Sequence, residues 1–217
     1  MIESHIMRHI EELIKRYPTL VLCRQSIEMA YMLLVDCYRN GGKLLIAGNG
    51  GSAADSEHMA GELMKRFRLA RPVNDEFADK LRKIDKERGE FLAANLECSL
   101  MAISLVTHEA FTTACMNDIN ALGVFAQQLL GYGKEGDVFL AISTSGNSKN
   151  IMYATVVARA LGLKIIGLTG KDGGELVDVA DIAIKVPEEE TYKIQELHLP
   201  VYHCLCMMLE ESFFGEN

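Results

Sequence analysis

The stretch from Leu44 to Phe67, LLIAGNGGSAADSEHMAGELMKRF, leaves a chain few ways to fold. It opens with a short apolar run, Leu44 to Ala47, which reads as a buried strand. The glycine turn Gly48-Asn49-Gly50-Gly51-Ser52 follows, and an amphipathic helix is expected from about Ala53 to residue 68. The theme recurs down the chain. Apolar runs at Leu100 to Val106, Val138 to Ile142, Lys164 to Leu168 and Ile182 to Val186 are each followed by a loop and helical spacing, or close the series. Strands alternating with helices require a parallel sheet covered on both faces. The expected fold class is α/β, a doubly wound parallel sheet of five strands with helices on both faces.

The same turn is chemically suggestive. Glycines let backbone N–H groups approach a ligand, and the first turn of a helix carries unpaired N–H groups and partial positive charge. Farther along, His58 and Glu62 lie four residues apart and share a helical face. An anion cradle and a His/Glu pair on one element suggest a phosphorylated substrate. Gly48 to Ala53 loosely fits the dinucleotide fingerprint, but no strand ends in an acidic residue about 20 positions on, which argues against a nicotinamide cofactor. A second loop, Ser143-Thr144-Ser145-Gly146-Asn147-Ser148, places hydroxyls beside backbone N–H groups between a strand and a helix.

At 217 residues the chain suits one domain, residues 1–217, with no linker or low-complexity run. Two N-terminal helices are expected within residues 1–41, at 4–16 and about 20–40, divided by Tyr17-Pro18-Thr19. The charged segment 74–90 is expected to be one surface helix, with Phe77, Leu81 and Ile84 at helical spacing. A helix from His108 to about Met116 is expected to break at Asn117-Asp118 and resume to about Tyr132, and a final helix runs from about Tyr192 to Phe213. Net charge of −8 with no basic stripe argues against nucleic acid. No apolar run suits a membrane span, and the N-terminus is not of the signal-peptide kind. Six scattered cysteines without a CxxC read as buried free thiols of a cytoplasmic protein.

The final helix adds Gln195 and His203 among apolar neighbours, where buried polar groups need partners. They sit two turns apart, roughly 12 Å along a straight helix. Either Pro200 bends the helix or ligands from different subunits converge. His198 points elsewhere and reads as structural, and His5, His9 and His108 stand alone and read as structural or exposed.

Taken together, GNGGSAADSEHMAGEL, STSGNS, LTGKDGG and IQELH…H resemble the sugar isomerase (SIS) domain family over nearly the whole chain, and within it the phosphoheptose isomerases. The resemblance implies an SIS-type αβα sandwich, a homotetramer with active sites between subunits, and conversion of sedoheptulose 7-phosphate to D-glycero-D-manno-heptose 7-phosphate. It further implies that Asn49, Gly50, Gly51, Ser52, Arg66, Asn117, Asp118, Ser143, Thr144, Ser145, Ser148 and Gln195 bind substrate. His58, Glu62, Gln195 and His203 match the family's zinc ligands, with Glu62 as base and His203 as acid. A carboxylate and a histidine suit proton transfer through an enediol near neutral pH, and Zn²⁺ would polarise the carbonyl. Two departures stand out. The segment from Arg68 to about Glu97 is longer and more charged than the family's connection, and Tyr192 stands where some members carry an acid. Alternative readings are another phosphosugar isomerase, or a non-catalytic SIS protein such as a sugar-phosphate sensor or the adaptor of the replication initiator DnaA. The presence of Glu62 and His203 separates the chain from that adaptor.

Overall fold

All five apolar runs become strands. The computed structural model describes residues 2–215. Within them β1 (Leu44–Ala47), β2 (Ala102–Ser104), β3 (Val138–Ile142), β4 (Lys164–Thr169) and β5 (Ile182–Lys185) form one sheet in the order β2-β1-β3-β4-β5. Every neighbouring pair is parallel. The helices are α1 (Ser4–Arg16), α2 (Arg24–Arg39), α3 (Gly51–Met64), α4 (Asp75–Ile84) and α5 (Lys86–Asn95) in the first half. They continue with α6 (Glu109–Cys115), α7 (Val124–Tyr132), α8 (Lys149–Ala160), α9 (Leu176–Val179) and α10 (Thr191–Phe214).

Strand side chains alternate between two cores, as the pleat demands. Leu44, Ile46, Leu140 and Ile166 face one core, shared with Ile10 of α1, Ile27 of α2, Met59 of α3 and Val201 of α10. Leu45, Phe139, Ala141 and Ile165 face the other, shared with Phe125 of α7 and Ile151 of α8. The doubly wound α/β expectation holds. Because α3 and α8 leave β1 and β3 toward opposite faces, a crevice opens between the carboxyl ends of these two paired strands.

Five boundaries differ from expectation, each for a physical reason. The second N-terminal helix is preceded by a tight turn, Pro18–Cys23, which buries Leu20 and Cys23 and leaves Leu22 exposed before α2 begins at Arg24. Strand β2 is shorter than Leu100 to Val106 because it is an edge, paired only with β1. Helix α3 stops at Met64, short of residue 68, because the Phe67 and Arg68 N–H groups donate to the Glu210 carboxylate at 2.7 and 2.8 Å. The charged segment is two helices, α4 and α5, rather than one over 74–90. Asp85 between them is extended (φ −150°, ψ 118°), and its side chain accepts from the Arg88 N–H at 2.8 Å, so a fresh helix starts there. Asn117-Asp118 does not break the α6 rotation but lies in a wide helical turn, Met116–Asn120, that continues it.

A buried ion pair fastens α3 to α10. The Arg71 guanidinium donates to Glu210 Oε1 at 2.8 and 3.0 Å, and to the backbone carbonyls of Leu63 at 2.9 Å and Glu62 at 3.2 Å. With Phe67 and Arg68 on the same carboxylate, no charge in the cluster lacks a partner.

Candidate active site

Helices α3 and α10 lie side by side and run the same way, as their paired residues show. Gln195 meets Gly51, Tyr202 meets Asp55 and His58, and Glu210 meets Phe67 and Arg68. Gly51 is glycine for a reason of space, since a Cβ there would come within 2.6 Å of the Gln195 amide. Gly50, just before α3, takes φ 56°. Ser52 is buried in the first turn, and its N–H donates to Asn49 O at 3.0 Å.

About two turns along α3, His58 Nε2 stands 3.4 Å from Glu62 Oε1. The His203 ring packs edge-on to His58, with centroids 4.9 Å apart, and Phe67 closes its other side. The His203 Nε2 atom is buried with no hydrogen-bond partner. Burial, with His58 beside it, pushes the His203 pKa below its usual value against the pull of Glu62. Lys65 Nζ reaches Glu62 Oε2 at 3.2 Å.

These three side chains suit a zinc ion in donor type. The His58–Glu62 separation is long for a hydrogen bond but near the roughly 3.4 Å between two ligands that each lie ~2.0–2.2 Å from one tetrahedral ion. The orphaned His203 nitrogen adds a third donor beside them. Gln195 is not with them. Helix α10 runs unbroken through Pro200 and sets Gln195 at Gly51, seven residues and roughly 10 Å of helix before His58. As they stand in the single chain, however, the described residues include no group of three or more His, Cys, Asp or Glu placed to hold a metal ion.

The serine loop sits at the carboxyl end of β3, beside the glycine turn at the end of β1. Ser143 and Ser148 join hydroxyl to hydroxyl at 2.9 Å, and Ser145 Oγ accepts from the Asn147 N–H at 3.2 Å. Thr144 is partly buried, and its carbonyl accepts from the Gly170 N–H at 3.0 Å. Gly146 takes φ 67° and lies so close to the Gly173 carbonyl that no Cβ fits. The Leu176 N–H also donates to Gly146 O at 3.0 Å, so the LTGKDGG segment is the floor under the serine loop. The two loops are joined by a reciprocal amide pair, Asn49 with Asn150, at 2.9 and 3.0 Å.

The remaining expected residues are placed differently. Asn117 and Asp118 are exposed and bond to each other at 2.8 Å, with no hydrogen bond to either loop. Arg66 points outward and pairs with Glu97 at 3.2 Å, beyond the end of α5. A cleft of about 680 Å³ opens on the far side of His203, between α1 and α10, with Arg16, Tyr17 and Arg68 on its walls. Sequence reasoning passed over Asp55, Asn150 and Tyr202. Asp55 lies three residues before His58 on the same face and was legible by spacing, whereas the other two depend on which elements become neighbours.

Comparison with known proteins accords with this arrangement. The family model of the SIS domain matches residues 8–95 and 94–170. The phosphoheptose isomerase of Sulfurimonas denitrificans is 38% identical over 192 residues, covering 88% of this chain and 85% of that one. That of Helicobacter pylori (strain P12) is 36% identical over 217 residues, covering 100% and 98%. The structure of phosphoheptose isomerase GmhA from Neisseria gonorrhoeae superposes with a TM-score of 0.73 at 30% identity, covering 96% of this chain and 98% of that chain. The chain belongs to the phosphoheptose isomerase family of SIS-domain proteins.

Proposed function

We propose that the protein is an aldose–ketose isomerase converting sedoheptulose 7-phosphate to D-glycero-D-manno-heptose 7-phosphate. The observation that carries this reading is the meeting of α3 and α10, which gathers His203 with Glu62 and His58 of the helix that leaves β1, while the serine loop leaves the neighbouring strand β3. In this reading Ser143, Thr144, Ser145 and Ser148 hold the phosphate, with backbone N–H groups at the start of α8. Asn49, Gly50, Gly51, Ser52 and Gln195 line the sugar. Glu62 removes the proton beside the carbonyl, and His203 returns one to the neighbouring carbon.

The ligands for zinc would be His58, Glu62 and His203, with Gln195 of a neighbouring subunit the fourth, since the chain's own Gln195 lies at Gly51, away from these three. Bound there, the ion would polarise the substrate carbonyl. The orphaned His203 nitrogen supports this assignment. Arg66, Asn117 and Asp118 would reach substrate across a subunit boundary, since each is exposed in the single chain. Exposed apolar side chains support a homotetramer, among them Leu22 on the Pro18–Cys23 turn, Ile119 beside Asp118 and Val156 on α8. Neither nucleic acid nor membrane is a partner in this reading, and no described helix is long and apolar enough to cross a bilayer. All six cysteines are unpaired, five of them buried, which suits a reducing cytoplasm.

Isomerisation of sedoheptulose 7-phosphate by the purified protein tests the proposal. Glu62→Gln and His203→Ala are each expected to lower kcat by about 10²–10⁴-fold, the range for losing a general acid or base. A chelator should lower it further if zinc takes part. Failure of the folded, zinc-supplied protein to turn over the heptose would sink the assignment.

A further inference from the structure

A hydrogen-bonded chain runs from α3 to α10 and back behind the His58–Glu62–His203 cluster. Tyr202 Oη lies 3.0 Å from His58 Nδ1 and donates to Asp55 Oδ1 at 3.3 Å. Tyr202 is 1% exposed, and its neighbours Val201, Cys204 and Leu205 are apolar core residues, so its hydroxyl has no water to turn to. The second oxygen of Asp55 is buried and has no partner. These groups are not needed to build the core, where a phenylalanine and an alanine would pack without polar atoms.

Directionality follows from what each group can offer. A carboxylate is acceptor only, so the phenol must spend its one proton on Asp55. Its oxygen then faces His58 Nδ1 with lone pairs, which requires a proton on Nδ1. A neutral imidazole carries one N–H, so the His58 Nε2 atom is left as a bare lone pair. That atom is the one 3.4 Å from Glu62.

We propose that Tyr202, held by Asp55, is a positioning residue that locks His58 in the Nδ1–H tautomer and so presents Nε2 to a metal ion. Outer partners of this kind orient metal-bound histidines and raise their affinity, and here a tyrosine stands between the histidine and the carboxylate. The inference rests on reading His58 as a ligand, but its first consequence is visible without metal.

Two measurements test it. Nitrogen-15 NMR of the metal-free protein, at a pH above the imidazole range, reads the His58 tautomer directly. Nδ1–H is expected in the native protein, and a mixture of tautomers in Tyr202→Phe. Titration of the same proteins with zinc against a chelating dye should show the dissociation constant raised about 10–100-fold by Tyr202→Phe. Asp55→Asn keeps an acceptor for the phenol and should keep the native tautomer, whereas Asp55→Ala should lose it. A native Nε2–H tautomer, or a Tyr202→Phe protein with unchanged tautomer and unchanged zinc affinity, overturns the proposal. Should Tyr202→Phe fail to fold, the contrast between Asp55→Asn and Asp55→Ala decides. A native protein that shows the expected tautomer but binds no zinc would uphold the lock and refute the metal reading instead.

Discussion

Arg71 and Arg82 stand on either side of the start of the helical hairpin, and each grips a glutamate in an opposite setting. The side chains of Arg71 and Glu210 are 0% and 2% exposed, and every polar atom of the pair except Arg71 Nε also serves backbone. Arg82 and Glu90 approach as closely, at 2.7 Å, with side chains 41% and 65% exposed. The contact distance is therefore no guide to consequence. In the first case a lost partner strands a charge and several backbone groups where water cannot reach. In the second, water replaces whatever is removed.

The largest expected effect follows from breaking the buried pair. Glu210→Ala should cost about 3–5 kcal/mol of stability, the usual penalty for stranding a buried charge, measured by urea unfolding. Arg71→Ala should do the same and also lower kcat, because the guanidinium holds the carbonyl of Glu62. A loss no larger than that of a surface variant would erase the contrast.

A second buried titratable group extends the comparison to pH. His198 is fully buried, and neither ring nitrogen has a hydrogen-bond partner. Burial pushes its pKa from the usual 6.5 down to about 4, weakly opposed by the Thr169 backbone, which makes no bond of good geometry. A depressed folded-state pKa means that the unfolded chain binds the extra proton more readily. Its stabilising share is thus complete above pH 6.5 and is lost as pH falls toward about 4. The shift corresponds to about 3 kcal/mol. Unfolding curves across that window should flatten in His198→Leu; an unaltered slope would remove His198 from the acid response.

At the small end, Arg82→Ala should leave Tm within the scatter of repeat scans, even though it removes contacts to Glu90 and Asp79. A drop of several degrees would show that the hairpin's surface pairs act as a network, and the comparison would need redrawing.

Legibility from sequence divided along the same line between local and distant causes. The strands were readable because a run such as VFLAI can only be buried on both faces, and each expected run became a strand. The pairing of His58 with Glu62 was readable from helical spacing alone. The end of α3 was not, because Glu210 reaches back from α10 to take the Phe67 and Arg68 N–H groups. Nor was the split of the charged segment, where the apolar spacing of Phe77, Leu81 and Ile84 outweighed the capping tendency of Asp85. Gln195 and His203 were both singled out and their two-turn separation was legible, yet which α3 residues they meet, Gly51 and His58, is a tertiary fact. The roles of Tyr202 and Asn150 lie in partners that only the fold supplies.

The nesting of Gly146 against the Gly173 carbonyl carries a consequence for inheritance. A segment of backbone that presses so closely on another cannot vary alone, for even a methyl group on Gly146 would displace the LTGKDGG floor. Gly174 is confined in the same way by the Ser145 carbonyl and the Asn147 side chain. The two loops are thus one module written in two places, and anyone grafting the serine loop into another scaffold must transplant both together.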